Sequence, residues 1–237
     1  AEGRHQLGLW CTLSSPYGIE LLAGAGFDWL LIDTEHSPSD VVGVLGQLQA
    51  VAPYPVSAIV RPAWNDPILI KRYLDIGAQT LLLPYVQNAD EARAAVRSMN
   101  YPGAGAGDGL RGVSALTRAS RFGRVKNYPR VCRTELCLLV QVETREALAN
   151  ISEIAAVEGI DGVFTGPADL AADMGFLGQP GHPEVVRAIE SAIGAIRLCG
   201  KPAGILTTDA GLARQCMAWV SGFTAGGIVV GWLAVET

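Results

Sequence analysis

Short apolar runs rich in Val, Ile and Leu recur along the chain with amphipathic stretches between them, and this alternation constrains the fold more than any other feature. The runs are LGLWCT (7–12), WLLIDTE (29–35), VSAIVR (56–61), TLLLPYV (80–86), LCLLVQVE (136–143), GVFTG (162–166), AGILTT (203–208) and TAGGIVVG (224–231). Runs apolar on both faces read as strands buried between layers, which is the habit of parallel sheets covered by helices. Helix signals fall between them: Ser39 capping VVGVLGQLQAV, Asp66-Pro67 opening ILIKRYLDIG, Asn88 before ADEARAAVRSM, and His182-Pro183 opening EVVRAIESAIGAIRLCG with Gly200 closing it. Eight strands with interleaved helices in 237 residues predict an α/β protein, a (β/α)₈ TIM barrel forming one domain over residues 1–237. An open doubly wound sheet would carry a GxGxxG turn after its first strand, and GLWCTLSSPYG supplies none.

Composition narrows the partners. Apolar residues are 49% of the chain and charged residues 17%, enough for a large core. The net charge of −5 comes without a Lys/Arg stripe, so nucleic acid is not expected. No run approaches the ~18 apolar residues of a membrane span. The five cysteines, Cys11, Cys132, Cys137, Cys199 and Cys216, form no CxxC pair, which reads as reduced thiols of a cytoplasmic protein. The longest break in the rhythm, 100–135, opens with the Gly-rich YPGAGAGDGLRGVS, read as an active-site loop, an interface loop or a floppy insertion.

In a parallel barrel the chemistry gathers at the C-terminal ends of the strands. Four candidate strands end there in polar groups: Asp33, Glu35 and His36; Arg61; Gln141 and Glu143; and Asp169 in TGPAD. Glu143 and Asp169 form a hard oxygen pair suited to Mg²⁺ or Mn²⁺, or else serve as helix caps and arginine partners. His36 is a general base or a hydrogen-bonded loop histidine, whereas His5 and His182 read as surface residues. Arg61 meets either a substrate anion or a structural partner, Asp33 or Glu35. Gly166 and Pro167 open a helix whose N–H groups could hold a carboxylate. Covalent Schiff-base chemistry is disfavoured, because Lys71, Lys126 and Lys201 all lie away from the strand ends.

With these residues assembled, the sequence resembles the class II, metal-dependent pyruvate aldolases acting on 4-hydroxy-2-oxo acids. The matching blocks are GLW, ELLAGAGFDWLLIDTEHSP, VRPAWNDP, LDIGAQTLLLPYVQNADEAR, RGVSALTRAS, LVQVETREAL and VEGIDGVFTGPADLAADMG, covering most of residues 8–176 in order. The resemblance implies a phosphoenolpyruvate/pyruvate-type barrel and a reversible cleavage to pyruvate and an aldehyde through a metal-stabilised pyruvate enolate. It implies a divalent ion (Mg²⁺, Mn²⁺ or Co²⁺) held by Glu143 and Asp169, with Arg61 at the keto or enolate oxygen. His36 and Asp75 would be an acid/base dyad, and Gln141, Gly166, Pro167, Ala168 and Trp10 would line the substrate. It further implies a homo-oligomer, a hexamer, built by exchange of a C-terminal helix. An acyl-CoA lyase of the citrate-lyase-like type and a non-catalytic small-acid binder remain as alternatives on the same barrel.

Two departures from the family pattern stand out. YPGAGAGDGLRGVS replaces a shorter YPPxGxRG-like stretch, a change expected to fall on aldehyde preference, loop mobility or assembly. The terminal helices look abbreviated, with the sequence ending about where a final helix should begin.

Overall fold

The computed structural model describes residues 4–104, 109–219 and 222–235. Eight parallel strands close into a barrel: β1 (Gln6–Cys11), β2 (Trp29–Asp33), β3 (Ser57–Arg61), β4 (Thr80–Leu83), β5 (Cys137–Val142), β6 (Gly162–Thr165), β7 (Ala203–Leu206) and β8 (Phe223–Ile228). Closure comes from β1 pairing with β8, Gly8 beside Ala225. Helices follow the strands: α1 (Pro16–Ala23), α2 (Val41–Val51), α3 (Pro67–Asp75), α4 (Ala89–Met99), α5 (Tyr128–Val131), α6 (Arg145–Ala149), α7 (Ile151–Ala156), α8 (Pro167–Asp173), α9 (Pro183–Leu198), α10 (Ala210–Ala218) and α11 (Val229–Val235). All eight expected strands are present.

The twofold period of a strand builds two cores. One set of alternate residues, including Leu30, Ile32, Val60, Leu81, Leu83, Val140 and Val163, packs outward against the helices. The other set, Trp10, Trp29, Leu31, Ile59, Leu82, Leu139, Phe164, Phe223 and Ala225, fills the barrel. Its aromatic rings meet edge-on or tilted: Trp10 and Trp29 at 6.4 Å, Trp10 and Phe164 at 5.5 Å, Phe164 and Phe223 at 5.7 Å. Such crowding requires facing positions without side chains. A Cβ on Gly8 would lie 2.1 Å from the Trp29 ring, and one on Gly204 would lie 2.3 Å from Phe223.

Two local expectations are corrected, and a third falls partly outside the described residues. Asp40 rather than Ser39 caps α2: its carboxylate accepts from Gly43 N–H at 2.8 Å, while Ser39 Oγ accepts from the Gln47 amide. The segment TAGGIVVG is not all strand, because β8 ends at Ile228 and α11 begins at Val229, so a final helix has started before the sequence ends. Of the Gly-rich stretch, read as an active-site loop, an interface loop or a floppy insertion, only the flanks are described. Residues 105–108 lie outside the described residues, but the flanks return to the end of α4: Leu110 N–H bonds Arg97 O at 2.7 Å and Arg111 N–H bonds Asn100 O at 3.0 Å. Helix α4 runs back from the strand ends, so this junction lies at the N-terminal face of the barrel.

Gly8→Ala should cost about 2–3 kcal/mol of stability, from overpacking against a ring that has nowhere to go, and so lower the urea unfolding midpoint. An unchanged midpoint would refute the requirement for space beside Trp29.

Candidate active site

The alternation that fills the barrel also delivers polar groups to its mouth. On β2 the inward positions run Trp29, Leu31, Asp33; on β3, Ile59, Arg61; on β5, Leu139, Gln141 and then Glu143 just past the strand end. Apolar residues occupy the deeper layers and ionisable ones the last. The residues Asp33, Arg61, Gln141 and Glu143 are each at most 6% exposed.

Arg61 is the centre of this layer. Its Nε and Nη2 donate to the two carboxylate oxygens of Asp33, both at 2.9 Å. Its Nη1 lies 2.7 Å from Glu35 Oε2, an ion pair by distance without hydrogen-bond alignment. The guanidinium also sits over the Trp10 ring, 4.9 Å from its centroid. The structural partners weighed in the sequence are therefore made, with both Asp33 and Glu35. Burial pushes the Glu35 carboxyl above its usual range despite the opposing charges of Arg61 and His36.

Glu143 is gripped from two sides. The Tyr85 N–H donates to its Oε1 at 2.9 Å, and the Gln141 amide donates to its Oε2. Gly166 is required here, because a Cβ would stand 2.4 Å from Glu143 Oε2. Burial first, then the negative charges of Asp169 and Glu35, push the Glu143 carboxyl up to about 7, more than its two donors hold it down. Asp169 occupies the first turn of α8, exposed, with Gly166, Pro167 and Ala168 leading into that helix and no side chain capping it.

His36 lies one residue beyond the inward register of β2, and its ring is 65% exposed, with Nε2 3.8 Å from Glu35 Oε1. Asp75 is not brought to it. Helix α3 returns from the end of β3 to the start of β4, so Asp75, its last residue, lies at the opposite face of the barrel. There it accepts from the fully buried Arg111 at 2.9 Å, beside Tyr101. Trp10 is buried under Arg61 rather than open to the mouth. The lysines are elsewhere: Lys71 is in α3, Lys126 precedes α5, and Lys201 donates to Ile160 O before β7 begins. Sequence reasoning did not find Tyr85 or Trp64. Nothing in LLLPYVQN or RPAWND marks a backbone grip on a carboxylate or a ring stack between two loops.

The donor set fits a divalent cation. Asp33 and Glu35 pair with Arg61, Glu143 feels the negative charges of Asp169 and Glu35, and no three His, Cys, Asp or Glu side chains among the described residues close around one point, so the mouth offers a cation two carboxylates, Glu143 and Asp169, and open positions for other ligands. Gln141 Oε1 in the same layer is buried without a hydrogen-bond partner. Hard oxygens of this kind suit divalent ions such as Mg²⁺ or Mn²⁺.

A family model described as HpcH/HpaI aldolase/citrate lyase matches residues 6–234. A pyruvate aldolase of Rhizobium etli is 63% identical over 232 residues, covering 98% of this chain and 90% of the relative. A 4-hydroxy-2-oxo-heptane-1,7-dioate aldolase of Escherichia coli is 58% identical over 227 residues, 95% of this chain and 85% of the relative. Among solved structures, an HpcH/HpaI aldolase/citrate lyase family protein from Burkholderia cenocepacia superposes with a TM-score of 0.95 at 38% identity, covering 99% of this chain and 92% of that one.

The raised Glu143 carboxyl carries a stability consequence with a definite sign. A carboxyl whose folded value of about 7 exceeds its unfolded value stabilises the fold at low pH, and that contribution is lost as pH rises through 7. In chelator, Glu143→Gln should therefore melt above the parent at pH 8, by on the order of 3 kcal/mol, with the difference gone by about pH 4. Thermal unfolding at both pH values checks this, and a variant less stable than the parent at pH 8 would contradict it.

Proposed function

Because the chain belongs to the HpcH/HpaI aldolase/citrate lyase family, a family of carbon–carbon lyases, we infer that it is a metal-dependent aldolase that reversibly cleaves 4-hydroxy-2-oxo acids to pyruvate and an aldehyde. The observation that carries the reading is the buried Glu143, held by Tyr85 N–H and Gln141 and raised by Asp169 and Glu35, next to a fixed guanidinium. Glu143 and Asp169 would hold a divalent ion, which would supply Lewis acidity toward the 2-keto group of the substrate.

The side chains do the rest. Cleavage of the C3–C4 bond leaves an electron pair that collects on the keto oxygen as an enolate. Arg61 carries N–H donors beyond those committed to Asp33 and Glu35, and its orientation is set before substrate arrives. Such a preorganised charge stabilises the developing oxyanion without reorganisation. His36, exposed at the mouth, takes the proton of the 4-hydroxyl as the aldehyde forms and returns it in condensation. With the Gly166 N–H bonded to Val142 O and Pro167 lacking one, the free N–H groups at the α8 start are those of Ala168 and Asp169, which would face the pyruvate carboxylate. Trp10 supports Arg61 from below.

Asp75 enters this scheme only between copies. If it orients His36 as the resemblance implies, the Asp75 of one copy must reach the mouth of another, which accords with a homo-oligomer, a hexamer in the form expected from the sequence. Its side chain is 24% exposed and available for such a contact.

The acyl-CoA alternative has less support. The segments joining strand ends to helices, 12–15, 34–40, 62–66, 84–88, 143–144, 166 and 207–209, contain no lysine or arginine for the phosphates of CoA. We place the protein in the cytoplasm on its free thiols; no helix among the described residues is long and apolar enough to cross a membrane.

Two experiments test the reading. Exhaustive chelation should abolish pyruvate release from a 4-hydroxy-2-oxo acid, and Mg²⁺, Mn²⁺ or Co²⁺ should restore it; full activity in chelator would sink the proposal. His36→Ala and Asp75→Asn should each be inactive, and their co-expressed mixture should regain turnover, since some mouths then combine an intact His36 with an intact Asp75. A mixture as inactive as its parents would remove the pairing between copies.

A further inference from the structure

His36 has no orienting partner in its own chain among the described residues. Its Nε2 stands 3.8 Å from Glu35 Oε1, beyond hydrogen-bond reach. The opposite face of the barrel holds a carboxylate prepared to orient such a ring. Asp75 accepts from Arg111 Nη2 at 2.9 Å through Oδ1 alone, and its Oδ2 has no partner among the described residues.

Neither member of that pair suits its place. Arg111 is 1% exposed, and Asp75 is the one carboxylate within ion-pair reach of it among the described residues. Asp75 ends α3, where a carboxylate meets the negative end of the helix dipole. Buried ion pairs are often no more stabilising than apolar side chains of like volume, so a staple between segments does not account for this one. What the pair supplies is position. The Arg111 N–H is fixed to Asn100 O at the end of α4, and its guanidinium lies over the Tyr101 ring, 4.4 Å from the centroid, with Tyr128 at 5.9 Å. The two tyrosine rings meet edge-on at 6.5 Å and wall the guanidinium in. Burial pushes the Tyr101 hydroxyl up to about 12, so it stays neutral and does not compete with Asp75 for the cation. A second arginine of the RGVSALTRAS block, Arg118, donates to Ile76 O at 2.8 Å, so the turn that follows Asp75 is held as well. Gly77 leaves room for it, since a Cβ there would lie 2.5 Å from Arg118 Nη1.

We propose that Arg111 is a positioning residue of the aldolase reaction: it holds the Asp75 carboxylate of one copy in the orientation that receives His36 at the mouth of another. This rests on the pairing of His36 and Asp75 between copies inferred above, and it names the group that sets the geometry of that pairing. With Oδ1 committed to Arg111, Oδ2 is left to accept from one ring N–H of His36. The other ring nitrogen is then free to take the 4-hydroxyl proton. Arg111, buried behind Asp75, touches neither substrate nor His36.

The test uses Arg111→Met, which keeps an unbranched stem and removes the charge, and Arg111→Lys, which keeps the charge and removes the planar fork. Each should lose roughly 10- to 100-fold in kcat for a 4-hydroxy-2-oxo acid, with KM within about twofold of the parent. Co-expression then assigns the loss to Asp75. Arg111→Met mixed with His36→Ala should regain about a quarter of the parent's turnover, the share of mouths that combine an intact His36 with a held Asp75 when two chains mix at random. Arg111→Met mixed with Asp75→Asn should regain nothing, because no copy in that mixture offers a held Asp75. A merely damaged fold would not sort the mixtures in this way. Should Arg111→Met fail to assemble, Arg111→Lys in the same two mixtures decides. Unchanged kcat, a loss confined to KM, or regained turnover with Asp75→Asn would overturn the proposal. So would an inactive mixture with His36→Ala while the reference mixture of His36→Ala and Asp75→Asn regains turnover. An inactive reference mixture would instead overturn the pairing between copies, and the proposal with it.

Discussion

A guanidinium at the end of a barrel strand, 6% exposed, is tolerable only if its surroundings return what water gave it. Around Arg61 three groups do so: Asp33 through two parallel hydrogen bonds, Glu35 through a close ion pair, and the Trp10 face through its quadrupole. Loss of Asp33 alone would strand a buried cation at a cost of roughly 3–5 kcal/mol. The pairing joins neighbouring strands, since Asp33 and Arg61 are register partners of β2 and β3. The ion pair is therefore part of the sheet, and the positive charge offered to substrate is as rigid as the barrel beneath it.

That rigidity depends in turn on the interior. Trp10 supports the guanidinium from below and packs against Trp29 and Phe164, which fit because Gly8 and Gly204 leave room. The GLW stretch thus serves both the core and the mouth. Below it the barrel is closed by rings and aliphatic side chains, so solvent reaches the polar layer from one side. A one-sided, low-dielectric mouth strengthens the interactions made there, and it also raises Glu143.

The strand-end logic made most of this layer legible in advance. Strand positions alternate with a strict period, so reading inward from Leu31, Ile59 and Leu139 leads to Asp33, Arg61, Gln141 and Glu143 without knowledge of the fold beyond the barrel. Residues outside that periodicity were less legible. His36 falls after the strand, so its exposure could not be read from the pattern. Asp75 lies on a helix end, where its placement follows from the direction of α3, and the pairing implied by resemblance cannot be made within one chain. Tyr85 acts through its backbone, which the identity of the side chain does not report. Ser39 and Asp40 are both competent caps, and only the geometry of the turn separates them.

The negative mouth also explains why Glu143 draws positive charge. Its two donors, Tyr85 N–H and Gln141, favour the carboxylate, but burial and the charges of Asp169 and Glu35 outweigh them. A proton relieves that repulsion, and a dication held there, as proposed above, would relieve it too and would leave Glu143 ionised. The layer is not a neutral pocket: burial and like charge leave Glu143 short of positive charge, and its raised carboxyl is the expression of that deficit.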